Sequence, residues 1–146
     1  MRPALAGSAA LLVALAGCGG GEPDAPPQVR VTVGPQDIPV QPSQYCLSGE
    51  GERYSVTPPI IEVSPDSPIT LTVPEPVAER GWGVQVFDDQ LEEVIGEVDV
   101  EAGAASFAVN SSDVVPAGFY LVVVENAVPE CDGFSGAWPV GFIRAG

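Results

Sequence analysis

The sequence predicts an all-β, antiparallel β-sandwich. Three observations carry this reading: short runs of alternating apolar residues, a high content of turn formers, and no sustained helical period. The 17 Gly and 16 Pro among 146 residues suit a turn-rich fold and work against long helices. Period-two alternation recurs along the chain, whereas no window keeps a 3.6-residue period long enough for an amphipathic helix.

The elements follow in order. Val29–Val33 (VRVTV) places three valines on one face and Arg30 and Thr32 on the other. Ser43–Leu47 (SQYCL) reads as a short strand carrying a cysteine, and Ile60–Val63 (IIEV) follows a double proline. Ile69–Val73 (ITLTV) alternates cleanly between Pro68 and Pro74. Trp82–Phe87 (WGVQVF) aligns Trp82, Val84 and Val86, and Val94–Val100 (VIGEVDV) sets Glu97 and Asp99 opposite its valines. Ala105–Val109 (ASFAV) aligns Ala105, Phe107 and Val109, while Phe119–Glu125 (FYLVVVE) is apolar on both faces, as a central strand requires. Ala137–Ile143 (AWPVGFI) closes the sheet, with Pro139 favouring an edge because proline cannot donate to a ladder.

Two details narrow the sandwich to an immunoglobulin-like one. Trp82 opens a strand where such folds place a core tryptophan. Asp113–Glu125 (DVVPAGFYLVVVE) resembles the segment that carries an aromatic corner, with the Tyr120 hydroxyl expected to cap nearby backbone. Both are features of fold, and neither specifies an activity.

Residues 1–17 (MRPALAGSAALLVALAG) have the layout of a signal peptide: one arginine, an Ala/Leu-rich apolar stretch, and small residues at its end. The run is too short to span a bilayer, which takes about 20 apolar residues. "LAGC" (Leu15–Cys18) resembles the lipobox of bacterial lipoproteins, which makes Cys18 the expected diacylglyceryl-modified first residue of the mature chain. Two acyl chains are enough for a stable membrane anchor. Residues 18–28, rich in Gly and Pro, then read as a flexible tether, and 29–146 as the β-sandwich domain. The expected location is extracytoplasmic, on the outer face of the cytoplasmic membrane.

The cysteine count fits. Lipidation of Cys18 uses the odd one of three, leaving Cys46 and Cys131 as a pair for an oxidising compartment. A reactive or metal-binding role is the alternative, but no histidine exists to join either one.

Composition excludes much chemistry. Twenty acidic residues face five arginines with no lysine or histidine, a formal charge of −15, so nucleic acid is not an expected partner. Histidine triads, histidine metal sites and lysine Schiff bases are closed to this chain, and no nucleotide-binding glycine motif is present. No cofactor is expected. The remaining candidates for catalysis or cation binding are Asp88, Asp89, Glu92 and Glu93 in the loop DDQLEE, with Glu50 and Glu52 beside Cys46 as a weaker pair. Adjacent acids point to opposite faces of a strand end and make a poor acid/base pair, and the spacing lacks the alternating ligand ladder of a calcium loop. A solvated hairpin tip is the plainer reading. The C-terminal GFSGAWPVGFIRAG sets Phe134, Trp138 and Phe142 among glycines. These either complete the core or form an aromatic surface for an envelope protein or a glycan.

Taken together, LAGC, "QYC" (Gln44–Cys46), "RGWGVQVFD" (Arg80–Asp88), "PAGFY" (Pro116–Tyr120) and "SGAWPVGFIR" (Ser135–Arg144) resemble a family of actinobacterial lipoproteins of unknown function. The resemblance implies an envelope location and no known activity. The expected function is a lipid-anchored, non-enzymatic binding or assembly module. A cation-dependent binder or carboxylate hydrolase built on the acidic loops is the competing class.

Overall fold

The computed structural model describes residues 25–127 and 129–145. Cys18, the signal peptide and most of the tether segment lie outside the described residues. Among the described residues the chain forms eleven strands: β1 (Val29–Val33), β2 (Gln36–Val40), β3 (Gln44–Leu47), β4 (Glu50–Arg53), β5 (Ile60–Val63), β6 (Pro68–Thr72), β7 (Trp82–Phe87), β8 (Val94–Asp99), β9 (Ser106–Asn110), β10 (Gly118–Glu125) and β11 (Ala137–Arg144). A short helix α1 (Glu75–Arg80) joins β6 to β7, and a 3₁₀ turn spans Pro129–Cys131. No described helix is long and apolar enough to cross a membrane.

The strands form two sheets. The first runs β2-β1-β6-β9 and the second β4-β3-β11-β10-β7-β8, with β5 parallel to the end of β11. β6 and β9 pair in one sheet and β7, β10 and β11 in the other, and the two sheets form a β-sandwich. Alternation decides which side chains meet between the sheets. Val29, Val31, Ile69 and Leu71 face Phe119, Leu121, Val123, Trp138, Val140 and Phe142, all buried in one cluster. Phe119 and Phe142 stack at 5.3 Å between centroids. Trp82 is in this core as expected, its indole N–H donating to the Ala104 carbonyl at 2.8 Å.

Elements beyond the sequence reading have local causes. β2 (QDIPV) and β4 (EGER) lack an apolar alternation, yet each is the return arm of a tight hairpin. Ser48 and Gly49 both take positive φ, the requirement of the two-residue turn that joins β3 to β4. Helix α1 begins after Pro74 with a second proline in its first turn, and it stops at Gly81, whose φ of 91° suits glycine.

Pro139 corrects an expectation. It lies in β11, a central strand, opposite Val122 of β10. The other side of β11 is shared: Ser43 N–H donates to the Ala137 carbonyl, and Gly141 N–H donates to the Pro59 carbonyl. Pro139 falls between these two contacts, where β3 has ended and β5 has not begun, so its missing donor breaks no ladder.

Cys46 of β3 and Cys131 of the 3₁₀ turn, 85 positions apart in sequence, form a disulfide with Cα atoms 6.2 Å apart. The bond anchors the β3–β4 hairpin, whose ladder to β11 is the single pair Ala137–Gln44. The edge of Tyr45 on Trp138, with centroids 5.8 Å apart, adds packing at the same place.

A clasp closes the opposite end. Arg144 donates to the carbonyls of Ser111 (2.7 Å), Val114 (2.6 Å) and Val115 (3.2 Å), fixing the β9–β10 loop against the end of β11. Buried Ser111 joins that loop to the β5–β6 turn: its hydroxyl donates to the Ser64 carbonyl and accepts from Ser67 N–H.

Candidate binding face

The predicted site residues separate rather than converge. Asp88 is occupied within its own loop, its Oδ1 accepting the Glu92 amide at 2.9 Å and the Glu93 amide at 3.3 Å. The Glu92 amide foremost, with those of Glu93, Gln90 and Leu91, holds the Asp88 carboxyl below the ordinary aspartate range against the opposing effect of desolvation. Asp89 turns away from it towards Gly118. Glu92 and Glu93 are exposed. Glu50 and Glu52 lie on the exposed strand β4, and Glu52 accepts from the Tyr54 hydroxyl at 3.2 Å. Among the described residues no three acids or cysteines gather as a metal site.

Of the two readings of the C-terminal aromatics, the core holds for Trp138 and Phe142. Trp138 and Phe142 are fully buried because alternation points them between the sheets, and the Trp138 N–H donates to the Pro27 carbonyl at 2.9 Å. Phe134 is half-buried, under the guanidinium of Arg53 at 6.0 Å. Tyr120 is not an aromatic corner. Register with Phe87 and Gly141 puts it on the outer face of the second sheet, and no hydrogen bond of its hydroxyl to a described residue is formed.

That outer face is the notable surface. Cross-strand register lines up Ile60, Gly141, Tyr120, Phe87 and Val94 across β5, β11, β10, β7 and β8. Ile143 and Gly118 pair in the row above, and Pro139, Val122 and Gln85 form the row below. No described helix or strand is layered on this side of the sheet. The two glycines matter: a Cβ on Gly141 would lie 2.9 Å from the Tyr120 ring and 3.2 Å from Ile60, and one on Gly118 would lie 3.4 Å from Asp89. Their bare backbone floors a depression of about 300 Å³ walled by Ile60, Tyr120 and Ile143, with Asp89 at its rim.

Six of the seven large apolar side chains exposed among the described residues lie at this end of the sandwich, Val98 on β8 being the exception. Ile60 is 58 % exposed, Ile143 52 % and Val94 46 %, and Val115, at the tip of the loop held by Arg144, is 90 % exposed. Leu91 and Ile95 flank Val94. The chain enters the sandwich at the other end, where Pro27 meets Trp138. On β10 the residues opposite these two places, Gly118 and Val123, are roughly 17 Å apart at the usual strand rise.

The rim is acidic. Glu62 pairs with Ile143, Glu97 with Gln85, and Asp99 with Gly83, all on this face. Among the described residues, register places one cation on it, Arg53 at the far β4 corner.

Glu125 is the buried charge. Its side chain is wholly inaccessible, one oxygen accepts from Arg80 at 3.3 Å, and the other has no hydrogen-bond partner among the described residues. Burial pushes its carboxyl above the ordinary glutamate range, and Arg80 opposes the shift only in part.

No curated protein and no solved structure matches the chain. A family model described as "Protein of unknown function (DUF2771)" matches residues 22–131, from before β1 through the 3₁₀ turn. With most of its length matched, the chain belongs to the DUF2771 family.

Proposed function

We propose that the chain is a lipid-anchored extracytoplasmic module that acts by binding rather than by catalysis. Cys18 would carry the anchor, residues 18–28 the tether, and the open face of the second sheet the contact surface. One observation carries this reading: six of the seven large apolar side chains exposed among the described residues, Ile60, Leu91, Val94, Ile95, Val115 and Ile143, belong to strand ends and loops at the end of the sandwich away from Pro27. Contiguous exposed apolar surface marks interaction sites in soluble domains. Residues 18–26, ahead of the docked Pro27, would reach about 30 Å when fully extended, so this end would stand clear of the membrane. The side chains around the depression offer van der Waals contact and a carboxylate acceptor, and no nucleophile–base pair.

A photocrosslinking residue placed at Ile143 in cells tests the face against one placed at Thr32 on the other sheet. Capture of a discrete partner from position 143 and not from 32 is expected; equal yields at both would remove the reading. The anchor is tested separately. Cys18→Ser should lose the lipid mass and leave the membrane fraction.

A further inference from the structure

We infer that the occupant of this face is a polypeptide segment in which an apolar side chain sits between arginines or lysines. This rests on the reading of the open face as the contact surface and adds the chemistry of what it takes.

Shape and charge argue together. The glycine-floored depression, about 300 Å³ between Ile60, Tyr120 and Ile143, has room for an apolar side chain of any size. Asp89 lines it, and the same face carries Glu62 beside Ile143 and Glu97 out on β8; none of these three has an arginine within ion-pair distance among the described residues. Arg144, the nearest arginine in sequence to the depression, has its guanidinium committed to three backbone carbonyls and does not neutralise the rim. Apolar burial at the centre supplies affinity, and unpaired carboxylates at the edge select a partner of opposite sign.

The same charges argue against other occupants. A second copy would bring two acidic rims together on chains that each carry a formal −15. An anionic lipid surface meets the same repulsion. A neutral glycan would satisfy Asp89 but leave Glu62 and Glu97 without a counter-charge.

Fluorescence anisotropy on the full chain in non-ionic detergent tests the inference. The probe is a fluorescein-labelled octapeptide with two central leucines flanked by paired arginines. Saturable binding is expected, weakened about tenfold or more when serines replace the leucines or glutamates replace the arginines. Ile60→Ser with Ile143→Ser should weaken it by a similar factor. Both residues are more than half exposed, so the fold should survive, and an unchanged melting temperature would verify that. Asp89→Asn with Glu97→Gln should lower affinity and flatten its salt dependence, while Thr32→Ser changes nothing. No saturable binding of the arginine–leucine peptide, or binding unmoved by the face variants, overturns the inference. Binding of the glutamate-flanked peptide or of chitohexaose instead, lost in the Ile60/Ile143 variant, also overturns it, yet would leave the face as the contact surface.

Discussion

Glu125 is the residue at which burial and charge conflict most sharply. It pairs with Trp82 at the end of β10, and Arg80 foremost, with the Gly136 backbone, offsets its desolvation only in part. Because its folded-state pKa is raised above the unfolded value, the folded form holds the proton more tightly. Stability from this site is therefore full at low pH and is lost as pH rises from about 4.5 through the raised pKa. Glu125→Gln removes the titration. Denaturant melts of both proteins across that range should show the variant gaining on the wild type as pH rises. A gap independent of pH would mean that Glu125 titrates normally. At the same scale, Trp138→Ala should cost about 3–5 kcal/mol, because it empties the contact with Tyr45 and frees the Pro27 carbonyl. A loss below 1 kcal/mol by thermal melting would place that indole outside the core.

Among elements, the β9–β10 loop gains its shape from one side chain. The three carbonyl contacts of Arg144 are charge-assisted, each contributing about 1.5–3 kcal/mol in favourable settings. Arg144→Ala should lower stability by a few kcal/mol and release the loop, read as faster amide exchange at Asp113–Gly118. Unchanged exchange there would show that the Ser111 contacts hold the loop alone. Much of this architecture was legible in advance. The nine runs are strands with ends shifted by a residue or so, since alternation, or a short apolar run between turn residues, is a local property. Helix α1 was hidden because six residues cannot display a period, and β2 and β4 because their order comes from turn geometry at Gly34 and at Ser48–Gly49. Pro139 misled because a strand can be central in its sheet and still have a local gap on one side.

At the scale of the molecule, the Cys46–Cys131 bond joins segments that little else connects. Cys131→Ser should reduce stability by about 2–5 kcal/mol, with exchange protection lost first in β3 and β4. Global loss without early loosening of that hairpin would contradict its weak attachment to β11. The binding face belongs to this scale too, which is why the sequence did not disclose it. Ile60, Phe87, Val94, Tyr120 and Gly141 come from five separate segments, and only cross-strand register brings them into one row. The C-terminal aromatics drew attention because they are adjacent in sequence, but adjacency along a strand divides side chains between two faces.

The position of β11 carries a consequence for synthesis. It follows every other described strand in the chain, yet it joins β10 to β3 and β5 in the middle of the larger sheet. A chain emerging from its N-terminus can seat β10 on β7 and β8, but β3 and β5 must wait without a sheet to join. Until the segment from Ala137 onward arrives, one flank of β10 offers bare amides and carbonyls to any neighbouring nascent chain. Assembly of this sandwich is therefore a final stitching step, and interruption shortly before residue 137 should yield aggregates rather than a smaller folded domain.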